Sequence, residues 1–274
     1  MSGKTVSGNN SASLRAAMYG ENDLGSITIF SGNFINFGYW KNFTSGGRID
    51  VDQRTESQAD LYRMVLDCLN IDPTDVALEV GCGIGVGTAL ALREYEPSAV
   101  HGLDLSPEQL DRAMRANAEL VAAQPNRLAF RQGSALALPY ADEQFTICYS
   151  VEAAQHFEDL ARFAAEAHRV LQPGGRLAVT TFFMPPGAVI EELRRLLPTV
   201  DNGIDVVVPI DSFRHDLLGA GFDNVRTESI GERVWHGLDA WIAQTEFKDS
   251  WGRNWLKAYH QGLIDYHLVT ADKR

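Results

Sequence analysis

Apolar and polar positions along the first two thirds of the chain alternate between helical and strand patterns. Helical spacing of apolar side chains predicts a helix at 53–69, and further helices are predicted to end at about Glu94 and to cover about 158–171. The capping pattern Ser106–Gln109 predicts the start of another helix. Short apolar runs bounded by Gly, Asp or Pro predict five strands, Val76–Val80, Val100–Leu103, Leu128–Gln132, Phe145–Ser150 and Arg176–Phe182. Strands that alternate with helices form parallel βαβ units, so the pattern predicts an α/β fold with an open, doubly wound sheet.

The last third of the chain is less regular. Helices are predicted at 187–197 and 212–219, followed by a strand at 225–230. An aromatic-rich helical stretch over 237–262 and a final strand over 264–271 complete the pattern. The last two strands are therefore expected to be joined by a long helical insertion.

Composition narrows the class of protein. The 274 residues are 45% apolar and 22% charged, which is ordinary for a soluble globular protein. Lys and Arg number 24 against 36 Asp and Glu, and the net charge of -12 disfavours a nucleic-acid partner. No apolar run approaches the roughly 20 residues of a membrane span, and no signal sequence is evident, so we expect a cytoplasmic protein. Three scattered cysteines without a Cys-x-x-Cys pair indicate a reducing compartment and no metal site.

Two segments precede the predicted main domain. Residues 1–13 are rich in Ser, Gly and Asn and lack apolar anchors, so we expect them to be mobile. Residues 14–52 form an aromatic arm, and the main domain is expected to run from 53 to 274. The arm could dock on the main domain or on a neighbouring subunit, so a homo-oligomer remains open.

The strongest chemical signal is the run Leu78–Gly85, which leaves a strand and opens a helix with the pattern Glu-x-Gly-x-Gly-x-Gly. Glycines let the backbone turn tightly and let a ligand lie against it. Nicotinamide-binding loops favour glycine or alanine where this chain has Val86, and they do not require the acid Glu79. Asp104 closes the next strand, where a carboxylate can accept from both hydroxyls of a ribose. The sequence therefore indicates an adenosine-containing ligand, with a nicotinamide oxidoreductase as a remote alternative.

Five motifs in order carry a family resemblance: LEVGCGIG, LDLSPEQL, GSALALPY, VLQPGGRL and LLGAGFDNV. The chain resembles a class I S-adenosylmethionine-dependent methyltransferase of the small-molecule, bacterial natural-product group over about residues 60–271. The resemblance implies a seven-stranded Rossmann-like sheet whose last strand is antiparallel. It also implies helical lid insertions at about 184–222 and 235–263, with S-adenosylmethionine as cofactor and S-adenosylhomocysteine as product.

The resemblance implies roles for particular residues. It assigns cofactor binding to the glycine-rich loop, the ribose carboxylate and their neighbours, namely Tyr39, Glu79, Gly81, Cys82, Gly83, Gly85, Asp104, Leu105, Gln109, Ser134, Ala135 and Val151. Cys82 also suits a small filler in a crowded loop, and Glu79 a structural acid that holds the loop. Many relatives carry Asp where this chain has Ser134, whose hydroxyl accepts a hydrogen bond more weakly.

His156 follows the fourth predicted strand in the run Ser150–His156. Related small-molecule methyltransferases often carry a histidine there, so the resemblance implies a base that takes a proton from the acceptor. The alternative is a histidine that only orients the loop. The Asn/Asp-Pro-Pro-aromatic run of nucleobase amine methyltransferases is absent. So is a carboxylate within 179–183, which weakens methylation of a sugar hydroxyl.

Aromatic side chains of the arm and the insertion are candidates for a lid over the substrate. The resemblance places Phe37–Trp40 over the cofactor, and Trp40, Phe182 and Trp241 are the substrate candidates. The alternative for these rings is packing against the core. If they face the substrate, they could stabilise a cation, which suits methylation of an alkene carbon.

These observations predict an enzyme that methylates a small, largely apolar secondary metabolite on oxygen or carbon, with His156 as base. The main alternative is carbon methylation of a prenyl or terpenoid alkene through a carbocation, which could be coupled to cyclisation. A cofactor-binding protein without transferase activity is a further alternative. Methylation of nucleic acid or protein is disfavoured by the charge and by the missing motif. The expected partner is a small-molecule substrate, with no nucleic acid and no membrane, and a homo-oligomer stays open.

Overall fold

Seven strands form one sheet in the order β3-β2-β1-β4-β5-β7-β6. The computed structural model describes residues 7–20, 23–44 and 46–274. The strands are β1 (Val76–Val80), β2 (Ala99–Asp104), β3 (Leu128–Gln132), β4 (Phe145–Val151), β5 (Leu171–Phe183), β6 (Phe222–Ser229) and β7 (Asp265–Lys273). Neighbours from β3 to β5 run parallel, whereas β7 is antiparallel to both β5 and β6. The predicted doubly wound α/β sheet and its antiparallel last strand are confirmed.

The helices of the described residues flank this sheet. They are α1 (Ser7–Tyr19), α2 (Val51–Asp67), α3 (Val86–Tyr95), α4 (Pro107–Ala116), α5 (Ala118–Ala123), α6 (Leu160–Val170), α7 (Ile190–Leu196), α8 (Pro198–Asp201), α9 (Ile210–Gly219), α10 (Trp235–Ile242) and α11 (Asn254–His260). Helix α4 begins as its sequence predicts, because the Ser106 hydroxyl accepts from the Gln109 amide and Pro107 occupies the first turn. None of the helices in the described part of the chain is long and apolar enough to cross a membrane.

Side chains of each central strand alternate between two hydrophobic clusters, one on each face of the sheet. In β1, Ala77 belongs to the cluster that contains α2 and α3, whereas Leu78 and Val80 belong to the cluster that contains α6 and α9. This two-sided burial explains why the predicted strands read as continuous apolar runs. The carboxyl ends of the parallel strands remain uncovered by these helices.

The fully buried guanidinium of Arg54 on α2 fixes part of the N-terminal arm. It donates to the carbonyl oxygens of Ile29, Asn36 and Phe37 at 2.7–3.1 Å and lies 5.5 Å from the centre of the Trp40 ring. Burial lowers the pKa of this group to about 9. The segment 29–37 is therefore held by charge-assisted hydrogen bonds inside the protein.

Residues 7–13, which the sequence predicts to be mobile, form the start of helix α1, and residues 1–6 lie outside the described part. Further along α1, Arg15 donates to the carbonyl of Gly203 at 3.0 Å. The structure differs from the sequence expectation in two places. The continuous helix expected over 237–262 is two short helices separated by turns. Strand β5 already starts at Leu171, because the backbone becomes extended directly after α6.

Candidate functional site

A cavity of about 620 Å³ lies at the carboxyl ends of the parallel strands and is covered by the N-terminal arm. Most of the residues predicted for the cofactor and the base line it together: Gly81, Cys82, Gly83, Asp104, Leu105, Gln109, Ser134, Ala135, Val151 and His156. The arm contributes α1 and the residues 33–35. This is the edge of an open α/β sheet at which ligands bind.

Asp104 ends β2 with its carboxylate held by two backbone amides. Oδ2 accepts from the amide of Gly83 at 2.8 Å, and Oδ1 accepts from the amide of Ser106 at 2.9 Å. Burial raises the pKa of this carboxyl, and the backbone hydrogen bonds oppose that rise. Each oxygen retains a lone pair, so the carboxylate can still accept from two neighbouring hydroxyls of a ribose.

The glycine-rich loop has the backbone shape that its sequence requires. Gly81 has a φ of 83°, and a Cβ there would lie 2.3 Å from the Cβ of Ala153. Gly83 has a φ of 52°, and a Cβ there would meet no protein atom within 4 Å. The first glycine lets two backbones approach closely, and the second leaves room beside the cavity for a ligand.

Glu79 and Gly85 support this loop from outside the cavity lining. The buried Glu79 carboxylate accepts from the hydroxyls of Tyr62, Thr88 and Tyr149 at 2.9, 2.5 and 3.3 Å, and burial raises its pKa to about 7. Gly85 precedes helix α3 with a φ of 71°. Glu79 thus ties β1 to α2, α3 and β4, which corresponds to the structural alternative stated for this acid.

His156 has its two ring nitrogens in different surroundings. Nδ1 lies 3.0 Å from the carbonyl oxygen of Ile204 and 3.4 Å from Oδ1 of the buried Asp205. Both neighbours are acceptors, so Nδ1 carries the proton and Nε2 carries the lone pair. Nε2 accepts from the hydroxyl of Tyr19 at 2.6 Å, and Gln155 Nε2 lies 3.4 Å away. A histidine in this tautomer can accept a proton at Nε2 while Asp205 stabilises the charge that results.

Glu152 is a cavity residue that the sequence argument did not select. Its φ is 49°, and its Oε2 accepts from the Phe37 amide at 2.8 Å and from the Tyr266 hydroxyl at 2.7 Å. Burial raises the pKa of this carboxyl to about 8. An acid directly after a buried strand was the available signal. Tyr19 and Asp205 gave none, because each reaches His156 from a distant part of the chain.

The aromatic candidates do not line the cavity. The Tyr39 amide donates to the carbonyl of Ser57, and Trp40 packs against Ile49. Trp241 also packs there and donates through Nε1 to the carbonyls of Thr28 and Ile29, each at 3.1 Å. Phe182 is buried among the rings of Phe37, Trp235, Trp255 and Tyr266. The arm covers the cavity instead through Tyr19 and Phe34. The packing alternative therefore describes Tyr39, Trp40, Phe182 and Trp241.

Within residues 7–20, 23–44 and 46–274, no group of three or more His, Cys, Asp or Glu side chains could hold a metal ion. The cavity does fit the expected cofactor. Asp104 offers two acceptors, and Gly83 leaves space beside the loop. The buried Oε1 of Gln109 has no hydrogen-bond partner among the described residues, so it is available to a donor in the cavity.

Comparisons with known proteins identify the family. A family model described as a methyltransferase domain matches residues 78–179. Erythromycin 3''-O-methyltransferase from Saccharopolyspora erythraea is 31% identical over 240 residues, which cover 81% of this chain and 74% of the relative. The 27-O-demethylrifamycin SV methyltransferase of Amycolatopsis mediterranei is 27% identical over 206 residues, which cover 73% and 71%.

The fold also matches solved structures. One is geranyl diphosphate C-methyltransferase from Streptomyces coelicolor A3(2), crystallised with Mg²⁺, geranyl diphosphate and S-adenosyl-L-homocysteine. Its TM-score is 0.81 at 17% identity, and the match covers 96% of this chain and 98% of that one. At this identity the likeness establishes the architecture alone.

Proposed function

Because the chain belongs to the class I S-adenosylmethionine-dependent methyltransferases of small molecules, we propose that it methylates a hydroxyl of a largely apolar secondary metabolite, with His156 as the base. The observation that carries the proposal is the pair of contacts on the His156 ring. Nδ1 faces Ile204 O and Asp205, while Nε2 is left as the acceptor at the cavity. This arrangement suits removal of a proton from a hydroxyl.

S-adenosylmethionine, when bound, supplies an electrophilic methyl group. Asp104 would hold its ribose, with Gln109 beside it, and Ser134 and Ala135 would border the adenine. Ser134 Oγ already accepts from the amide of Leu136 at 3.1 Å, so its hydroxyl proton is free to donate to a ring nitrogen. Gly81 and Gly83 leave the space in which the rest of the cofactor would lie.

The protein's part in the chemistry is to align the acceptor and to take its proton. The acceptor hydroxyl would donate to Nε2 of His156, in the place that the Tyr19 hydroxyl holds in this structure. Asp205 and the Ile204 carbonyl would keep the imidazole ring oriented and stabilise it once it is charged. Alignment of this kind accounts for a large share of the rate in two-substrate reactions.

The walls of the cavity support an apolar acceptor. On the side of α1 and residues 33–35, Ala12, Ala16, Phe34 and Ile35 line the cavity beside the polar side chains of Arg15, Tyr19 and Asn33. The two relatives are named as an erythromycin 3''-O-methyltransferase and a 27-O-demethylrifamycin SV methyltransferase. These names support the same chemical class for this chain without fixing its acceptor.

Oxygen methylation is better supported than the carbocation alternative. That alternative needs aromatic rings facing the acceptor. The rings predicted for this role, Phe182 and Trp241, pack in the interior, and the rings that do line the cavity are those of Tyr19, Phe34, Tyr62 and Phe157. The histidine with an acidic neighbour, by contrast, is the arrangement that a hydroxyl acceptor requires. Nothing in the described residues of the site favours a nicotinamide cofactor, whereas membership of the methyltransferase family favours S-adenosylmethionine. A cytoplasmic location and the absence of a nucleic-acid partner remain predictions.

The experiment uses S-adenosylmethionine labelled with carbon-13 in the methyl group and a panel of hydroxylated polyketides that includes 27-O-demethylrifamycin SV. The expected product shows a methoxyl resonance by NMR. His156→Ala should lower the rate by about 10²- to 10⁴-fold, the usual contribution of a positioned base. A new methyl on carbon, or full activity of His156→Ala, would overturn the proposal.

A further inference from the structure

Gln109 has one amide atom bonded and the other without a partner. Its Nε2 donates to the carbonyl oxygen of Tyr19 at 2.7 Å, which fixes the orientation of the amide. Its Oε1 is buried and unpartnered in the part of the chain that the structure describes. The side chain is 1% exposed, and it lines the cavity five positions after Asp104. A buried acceptor without a donor carries a free-energy penalty that a donor in the cavity would remove.

The same helix holds the end of α1 from a second side. Arg112 donates through Nη1 to the carbonyl of Tyr19 and through Nη2 to the carbonyl of Gly20, both at 2.7 Å. These carbonyls belong to a helix C-terminus, where intrahelical partners are missing. Arg112 does not line the cavity, so of the two side chains only Gln109 contacts both the cavity and α1.

Tyr19 continues this connection to the proposed base. Its carbonyl accepts from Gln109, and its hydroxyl lies 2.6 Å from Nε2 of His156. The Gln109 amide is therefore one of the groups that hold the last turn of α1, which carries the phenol.

We propose that Gln109 is a positioning residue that couples binding of the cofactor to the placement of Tyr19 against His156. One hydroxyl of the ribose donates to Gln109 Oε1 while the other donates to Asp104, and the amide is thereby held with Nε2 on the Tyr19 carbonyl. Cofactor binding thereby fastens α1 over the cavity before the acceptor reacts. The consequence for His156 rests on the proposed function, whereas the coupling itself rests on the contacts of Gln109.

The test measures hydrogen exchange of the amides in residues 14–20 with and without saturating S-adenosylhomocysteine. In the native chain the ligand should slow exchange by roughly five- to tenfold, the factor that one hydrogen bond of ordinary net strength gives. In Gln109→Met the ligand should no longer slow this exchange. Calorimetry at the same concentration verifies that the variant still binds the ligand. Gln109→Leu serves as a second variant if thermal unfolding shows that the first is poorly folded.

Arg112→Met is the matched control, because it removes donors to the same carbonyls without touching the cavity. In this variant the amides of residues 14–20 should exchange faster than in the native chain, both with and without S-adenosylhomocysteine. The ligand should still slow their exchange. Unchanged slowing in Gln109→Met, or loss of it in Arg112→Met as well, would overturn the coupling. The readout needs neither acceptor nor methyl transfer, so a failure of the His156 assignment leaves it unaffected.

Discussion

The phenol oxygen of Tyr19 lies 2.6 Å from Nε2 of His156, with the two rings edge to face at a centroid distance of 5.3 Å. Burial, followed by the nearby carboxylates of Asp205, Glu152 and Asp104, raises the pKa of the phenol well above its usual range. The hydroxyl therefore stays protonated and acts as the donor. It occupies the one nitrogen that an acceptor hydroxyl would need.

Tyr19→Phe removes this competitor. The acceptor would no longer displace a hydrogen bond from Nε2, so its KM should fall by about two- to tenfold, the equivalent of one hydrogen bond. The kcat should stay within about threefold, because Ile204 and Asp205 still orient the ring. Steady-state kinetics with varied acceptor measure both constants. A fall in kcat of more than about tenfold would instead place Tyr19 on the path of the proton.

Asp205→Asn tests the second contact of the histidine. The amide keeps the volume of the side chain but removes the negative charge 3.4 Å from Nδ1, so the charged imidazole loses stabilisation. We expect kcat to fall by about tenfold or more, with little change in affinity for S-adenosylhomocysteine. Asp201→Asn, on the exposed end of α8, is the control and should match the native enzyme. Equal kcat values in the two variants would contradict the role of Asp205.

Gly83→Ala and Gly174→Ala separate backbone strain from loss of the ligand site. Both glycines have positive φ, 52° and 80°, and neither Cβ would meet a protein atom within 4 Å. Each variant should therefore lose a similar stability of about 1 kcal/mol or somewhat more. Only Gly83→Ala should bind S-adenosylhomocysteine weakly, because its Cβ enters the ligand space. Urea denaturation and calorimetry check the two effects, and equal affinity of the two variants would contradict the placement of the cofactor.

Glu152 should make stability depend on pH. Its pKa rises from 4.5 to about 8 in the folded protein, so the folded state binds more protons than the unfolded chain between those values. This contribution is complete below about pH 4.5 and is lost as the pH rises through about 8. Glu152→Gln stays neutral and can still accept from Phe37 and Tyr266. Its free energy of unfolding should therefore decrease less from about pH 5 to 8 than that of the native chain.

The control for this titration is Glu119→Gln, because Glu119 is exposed on α5. Urea denaturation at a series of pH values should give the native slope for this control. A native slope in Glu152→Gln would show that Glu152 is ionised in the folded protein at neutral pH.

Local patterns predicted the strands and the cofactor loop because each is encoded within a few consecutive residues. The run Leu78–Gly85 contains its own turn geometry, and Asp104 ends a strand that is apolar by itself. The contacts of His156 could not be predicted in this way, because Tyr19 is 137 positions away and Ile204 is 48. The aromatic-rich composition of 237–262 predicted helical structure, but not the break that divides it into α10 and α11.

The two parts of the arm that border the cavity are held with very different strength. Segment 29–37 is fastened by the buried Arg54, and breaking contacts of a buried charge typically costs about 3–5 kcal/mol. Helix α1 is held instead by partly buried hydrogen bonds, of which Arg15, Gln109 and Arg112 supply several. We therefore expect the route by which an acceptor enters and its product leaves to pass α1. Substitutions on the inner face of that helix, at Ala12 and Ala16, can change which metabolites are admitted without disturbing the sheet beneath.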